Sequence, residues 1–148
     1  SGNMKNIIFI GDEEKKIIGL GFNLPKGTKI YAPFGGVIDN SFMTEILDGV
    51  YYGFWIQEGQ NYFNVVGEVK TVIKPKHPAF PEAPERLAND PVQKEQLVAE
   101  TTGGQQRRVI TPAGNYDIAI DFMTYDTVKN IWSHNIKLFQ QFFPYVKE

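Results

Sequence analysis

The sequence predicts a small, mainly β domain of the barrel-sandwich type that ends in an α-helix. Three features of the 148-residue chain support this fold class: short apolar runs between glycine and proline turns, 14% aromatic residues, and one late stretch with helical spacing. The clearest segment is 27–38, where Lys29-Ile30-Tyr31-Ala32 favours a strand that Pro33 ends. Gly35-Gly36 then turns the chain into a second strand at Val37. Such dense punctuation is typical of short strands bent around a small core.

The composition limits the domain count and the classes of partner. A chain of 148 residues suits one domain, which we assign to residues 4–148, and Ser1-Gly2-Asn3 resembles a cloning scar. The net charge of -2 gives no electrostatic basis for binding nucleic acid. The sequence contains no cysteine, which excludes disulfides, thiolate zinc sites and cysteine nucleophiles.

We also expect no membrane span, because no apolar run approaches the ~20 residues that a spanning helix needs. The cell envelope is favoured as the location if a targeting segment has been trimmed from the chain. The composition does not set the oligomeric state.

Strands are predicted in the first half of the chain from apolar runs and turn residues. Ile7-Ile8-Phe9-Ile10 has strand length, and the segment 15–22 is predicted as a strand bent by its alternating glycines. Asp48-Gly49 is a hairpin signal. The runs 50–57 and 62–66 flank a polar glycine-containing loop, which predicts a second hairpin.

The second half predicts an insertion, a central strand and a helix. Five prolines with many charges make 74–100 a surface insertion, with a short helical piece over 92–100. The alternating segment 116–122 predicts a half-buried central strand. Apolar residues at near-helical spacing predict a C-terminal helix over 126–143, capped by Asp126 and ended by Pro144.

The segment 21–38 resembles the signature of lysostaphin-like zinc endopeptidases, whose fold belongs to the duplicated-hybrid-motif group. In that family a strand with His-x-x-x-Asp leads into a Pro-x-Gly-Thr-x-Val-Tyr-Ala corner and then a Gly-Val-Val strand. Pro25-Lys26-Gly27-Thr28-Lys29-Ile30-Tyr31-Ala32 and Gly36-Val37-Ile38 are similar to these. The segments 53–56 and 114–122 look like the family's middle and last core strands. Lipoyl-carrier and sugar-phosphotransferase domains share such corners, so the resemblance indicates a fold group.

The zinc chemistry of that family is not implied here. A catalytic zinc of this kind needs two imidazoles and a carboxylate. Gly19 and Asn23 stand at the first pair of ligand positions, and the family's His-x-His strand reads Tyr116-Asp117-Ile118. We therefore predict a catalytically inactive, peptidase-like domain with no catalytic residues, no metal and no cofactor.

Two alternatives place a site elsewhere. The two histidines, His77 and His134, lie outside every motif position and would be the ligands of a relocated metal site. Lys70, in Glu68-Val69-Lys70, faintly resembles the modified lysine of a lipoyl or biotinyl carrier. Either reading would make the protein an enzyme or a carrier.

Aromatic residues around the second hairpin are the remaining candidates for function. Alternation places Tyr52 with Phe54 on one face and Trp55 on the other. These rings either line a groove or are buried under the insertion or the helix. The candidate groove residues are Asn23, Tyr52, Trp55, Tyr62 and Tyr116. The sequence thus predicts a binding or scaffolding module for a cell-wall glycan or peptide, or for a protein partner.

Overall fold

The computed structural model describes residues 7–11, 17–76, 80–111 and 114–144. In chain order its strands are β1 (Ile7–Gly11), β2 (Ile17–Phe22), β3 (Lys29–Tyr31), β4 (Gly36–Asp39), β5 (Glu45–Leu47), β6 (Val50–Tyr51), β7 (Phe54–Glu58), β8 (Asn61–Gly67), β9 (Val69–Thr71), β10 (Asp90–Val92), β11 (Leu97–Thr101), β12 (Val109–Thr111), β13 (Gly114–Tyr116), β14 (Ile118–Asp126) and β15 (Ile131–His134). A short helix, α1 (Ile136–Phe142), follows β15. Within these residues, no helix is long and apolar enough to cross a membrane.

The strands form two main antiparallel sheets and one small hairpin. The larger sheet has eight strands in the order β1-β2-β14-β8-β7-β4-β10, with β15 added beside β14. The second sheet has the order β3-β11-β9-β6-β5, and β12 pairs with β13. One hydrophobic core draws side chains from both main sheets, among them Ile56 and Phe122 from the larger and Val69 and Val98 from the smaller. The predicted mainly β class with a C-terminal helix is confirmed, and neither sheet closes into a barrel in the described part of the chain.

The central strand is β14, as alternation predicts. The side chains of Ile118, Ile120 and Phe122 are buried in the core. One edge of β14 pairs with β8 along most of its length. Its other edge is shared, because the first half pairs with β2 and the second half with β15.

The corner 27–38 carries the chain from one sheet to the other. Its first strand, β3, pairs with β11 in the smaller sheet, and its second, β4, pairs with β7 and β10 in the larger. A Cβ atom at Gly36 would collide with the carbonyl oxygen of Gln57, so only glycine fits where β4 begins. The corner therefore links the two halves of the core.

The predicted helix over 126–143 is wrong in its first ten residues, 126–135. Asp126 does accept hydrogen bonds, from the backbone N–H groups of Val128 (2.9 Å) and Lys129 (3.0 Å). It closes a turn instead of a helix, since Asn130 adopts a left-handed φ of 55°. The chain then returns as β15, and the helix begins only at Ile136.

The segment 74–100 is more than a surface insertion. It contains β10 and most of β11, which join the larger and the smaller sheet respectively. Leu87 and Val98 are fully buried in the core. The short helical piece predicted over 92–100 is wrong, because this stretch is a turn followed by a paired strand.

Candidate functional site

The outer face of the larger sheet carries a row of polar and aromatic side chains across four strands. Asp39 on β4 lies opposite Trp55 on β7. Trp55 lies opposite Asn64 on β8, and Asn64 lies opposite Asp121 on β14. Because side chains alternate along a strand, the sequence neighbours of these residues point into the core. The row forms one continuous strip of the outer face.

An open groove of about 470 Å³, which we call the aromatic groove, lies on this face. Its apolar lining consists of Phe42, Trp55, Tyr62, Met123 and Trp132. Its polar lining consists of Asp39, Gln57, Asn64 and Asn89. Concave sites with mostly apolar walls and a few polar groups are the usual form of a small-ligand site.

The aromatic rings form two walls. Phe42, which is 85% exposed, stacks parallel to Trp55 with an interplanar angle of 8° and ring centroids 6.0 Å apart. Trp132 meets Tyr62 edge to face at 4.7 Å and also contacts Tyr125 at 4.9 Å. Rings held by other rings keep their faces in place without a ligand, which limits the entropy lost on binding.

Arg86 holds the loop that carries Phe42. Its Nη1 donates to the backbone carbonyls of Ser41 (2.8 Å) and Met43 (3.0 Å), and at 3.4 Å to that of Asn40. The guanidinium also lies 4.8 Å from the centre of the Tyr51 ring. Arg86 therefore ties the loop that carries Phe42 to the ring of Tyr51.

Asp39 is the charged residue of the groove lining. Its side chain is buried, with the residue only 5% exposed. The Oδ1 atom accepts hydrogen bonds from the backbone N–H of Ser41 (2.8 Å) and from its hydroxyl (2.5 Å). These bonds fix the orientation of the Asp39 carboxylate.

Two titratable groups in or beside the groove have shifted pKa values. Burial raises the pKa of Tyr62 above its ordinary value, and the nearby Tyr125 adds to the shift, so this hydroxyl stays protonated at neutral pH. Burial also raises the pKa of Asp121, although a hydrogen bond from Asn64 and the charge of His134 oppose that rise. His134 Nδ1 lies 3.5 Å from Asp121 Oδ2.

The structure separates the five candidate groove residues. Trp55 and Tyr62 line the aromatic groove together. Tyr52 lies elsewhere, with its hydroxyl donating to the carbonyl of Arg108 at 3.0 Å and its ring under the guanidinium of Arg107. Tyr52 and Phe54 do not share a face, because the chain bends between β6 and β7.

Asn23 and Tyr116 belong to another region. Asn23 Oδ1 accepts hydrogen bonds from Arg108 Nη2 (2.8 Å) and from the backbone N–H of Asp117 (3.2 Å). Arg108 also pairs with Asp117 at 2.6 Å. Tyr116 is buried, and its ring occupies the space that a side chain at Gly21 would fill. This network joins the ends of β2 and β14.

Two of the three alternative site residues, His134 and Lys70, lie in different parts of the structure. His77 lies outside the described residues. His134 pairs with Asp121 near the aromatic groove, while Lys70 lines a second cavity of about 340 Å³ on the smaller sheet. Among the described residues, no group of three or more histidines and carboxylates is placed to hold a metal ion.

No family model matches the chain, and no curated protein is significantly similar to it in sequence. What the groove binds is therefore inferred from its own chemistry. Sequence reasoning missed Phe42, Trp132 and Asp39. The available signals were the position of Phe42 just beyond a predicted strand, of Trp132 in a segment interpreted as a helix, and of Asp39 at the end of a strand.

Proposed function

We propose that this protein is a non-catalytic binding domain that holds a short cell-wall glycan in the aromatic groove. The observation that carries the proposal is the combination of four exposed or half-buried rings with amide and carboxylate side chains on one open sheet face. A pyranose ring has the matching chemistry, since it presents an apolar face of C–H groups and a rim of hydroxyls. Aromatic rings stack on the C–H face, and amide groups hydrogen-bond to the hydroxyls.

The location of the groove favours a glycan over an extended peptide. Peptides commonly add to the edge of a sheet, where unpaired backbone groups bind the peptide backbone. The groove instead lies over β4, β7, β8 and β14, each of which is paired on both sides, and the edge strand β15 lines it with the side chain of Trp132. It offers side chains alone, which suffice for hydroxyls but leave most peptide backbone groups unsatisfied.

The spacing of the carboxylates favours binding without hydrolysis. Asp39 and Asp121 stand at the two ends of the cross-strand row, with Trp55 and Asn64 between them. Three inter-strand spacings of about 4.8 Å separate them, a distance on the order of 14 Å. Paired glycosidase acids lie about 5 to 9.5 Å apart. The cell wall as the source of the glycan rests on the resemblance of segment 21–38 to lysostaphin-like peptidases.

Calorimetric titration with a soluble oligomer of N-acetylglucosamine tests the proposal. We expect saturable binding that Trp132→Ala weakens by about tenfold or more, since stacking of one ring contributes on the order of 1 to 3 kcal/mol. Tyr31→Ala is the matched control, because Tyr31 is 52% exposed on the other sheet and Trp132 is 51% exposed in the groove. Binding that both variants reduce equally, or no binding at all, would overturn the proposal.

A second candidate is an enzyme whose site includes His134. The 3.5 Å contact with Asp121 favours it, because a carboxylate that orients an imidazole is a recurring arrangement for a general base. Incubation of the same oligomer with the protein, followed by analysis of the products, decides between the candidates. Cleavage that His134→Ala abolishes would establish the enzyme and exclude a purely binding role.

A further inference from the structure

The Asp39 end of the aromatic groove has a charge and no matching countercharge in the described part of the chain. A buried carboxylate needs a cation or hydrogen-bond donors around it, because an isolated buried charge is costly. The described ion pairs join Arg86 to Glu45, Arg108 to Asp117, and His134 to Asp121. None of them includes Asp39, whose known partners are the two donors of Ser41.

Arg86, which holds the loop after Asp39, has other partners. Arg86 donates to the carbonyl oxygens of Asn40, Ser41 and Met43 and lies 3.9 Å from Glu45. It holds the backbone beside Asp39 without neutralising its carboxylate.

Aromatic faces stand beside this carboxylate. Trp55 is the direct cross-strand neighbour of Asp39, and Phe42 stacks on Trp55. Both kinds of neighbour stabilise a bound cation. The carboxylate accepts a charge-assisted hydrogen bond from it, and the negative faces of the rings attract its charge. The opposite wall, with Trp132 and Tyr62, has no charged lining residue among those described and suits a neutral sugar ring.

We infer that the Asp39 end of the groove is a subsite for a protonated amine, so that the glycan preferred is one with an unacetylated 2-amino sugar. This inference rests on the proposed glycan binding. It also predicts that glycans with carboxylate or sulfate groups are rejected, because Asp39 is the charged residue among the described lining residues.

The test compares three oligosaccharides of equal length at mildly acidic pH, where a sugar amine is protonated. They are a glucosamine oligomer, its N-acetylated form and a neutral glucose oligomer with the same linkage. We expect the wild type to bind the glucosamine oligomer at least about tenfold more tightly than the other two. Asp39→Asn should abolish this preference, so that the variant binds the three oligomers with similar affinities.

Each outcome has a distinct meaning. Equal binding of all three by the wild type overturns the amine subsite and leaves the proposed function standing. Binding of none overturns the proposed function and the subsite with it. A preference that persists in a folded Asp39→Asn variant also overturns the subsite.

If Asp39→Asn does not fold, the salt dependence of the wild type decides instead. Added salt should weaken binding of the glucosamine oligomer and leave the neutral oligomer unaffected, because only the first interaction joins opposite charges. Equal salt dependence for both would overturn the subsite.

Discussion

Phe42 lies parallel to Trp55, although one ring belongs to a loop after β4 and the other to the middle of β7. The contact gives the groove a wall that neither element would form alone. Phe42 remains 85% exposed, so its burial contributes little to folding. A large exposed ring held in a fixed orientation is therefore better explained by ligand binding than by stability.

The first prediction concerns the loop that presents Phe42. Arg86→Ala removes the donors that hold the carbonyl oxygens of Ser41 and Met43, so the Phe42 ring loses its fixed position. We expect a loss of stability on the order of 2 kcal/mol and about tenfold weaker glycan binding. Chemical denaturation and calorimetry measure the two effects.

Arg107→Ala is the matched control for this change. Arg107 also lies over a tyrosine ring, 4.2 Å from the centre of Tyr52, but outside the groove lining. If glycan affinity falls equally in Arg86→Ala and Arg107→Ala, the loop that carries Phe42 has no specific role in glycan binding.

The second prediction concerns a buried acid, Glu68, which lies between β8 and β9. Glu68 is 2% exposed and accepts hydrogen bonds from the backbone N–H groups of Gln106 (2.6 Å) and Arg107 (2.5 Å), and from the Thr102 hydroxyl (3.0 Å). Glu68→Ala leaves these donors without their acceptor and should lower the free energy of unfolding by about 2 to 4 kcal/mol. Denaturant titration measures it. Exposed Glu82→Ala should change stability by less than about 0.5 kcal/mol, and equal losses would refute the role assigned to Glu68.

The third prediction concerns the start of α1. Asn135 Oδ1 accepts from the backbone N–H of Leu138 at 2.9 Å, and its Nδ2 donates to the Thr124 hydroxyl at 2.9 Å. Asn135→Ala should cost about 1 to 2 kcal/mol, and Asn135→Asp less, because aspartate keeps the capping acceptor. Thermal unfolding of the two variants gives the order. If Asn135→Asp is less stable than Asn135→Ala, the hydrogen bond to Thr124 contributes more to stability than the cap.

The fourth prediction concerns pH. Burial raises the pKa of Asp121 above its unfolded value, so the folded state binds this proton more tightly. The contribution of Asp121 to stability is then full at low pH and is lost as the pH rises through the folded pKa. Asp121→Asn lacks this dependence, so its stability relative to the wild type should increase between about pH 3 and about pH 7.

Denaturation at several pH values checks this sign, with the exposed Asp48→Asn as control. A relative stability of Asp121→Asn that decreases over the same range would mean that the pair with His134 outweighs burial.

The fold class is predictable because the alternation of apolar and polar residues along a single strand indicates which side chains are buried. Ile118, Ile120 and Phe122 alternate with polar or small residues, and all three are buried. The Asp48-Gly49 hairpin is predictable for a local reason, since both residues adopt positive φ, at 44° and 79°.

The error in the tail also has a local cause. Val128, Ile131 and Trp132 match helical spacing, yet all three side chains are exposed, so their spacing reflects no buried helix face. Pairing with β14, a long-range interaction, determines the conformation of this segment.

The groove could not be predicted because its residues meet only through the order of the strands. Asp39 and Trp55 are neighbours across the sheet, although their strands, β4 and β7, do not follow each other in the sequence. Trp132 lies beside them because β15 pairs with β14. The sequence pattern instead predicts a helix for the residues of β15. Trp55 and Tyr62 lie together in the groove because one hairpin holds both.

Nuclear magnetic resonance of the indole N–H groups tests the central claim most directly. Trp55 and Trp132 are the two tryptophans of the chain, and both line the aromatic groove. On titration with a glucosamine or N-acetylglucosamine oligomer, we predict saturable shifts of both indole signals and of the Met123 methyl group. Saturable shifts confined to residues around the second cavity, or indole signals that do not move, would contradict the account.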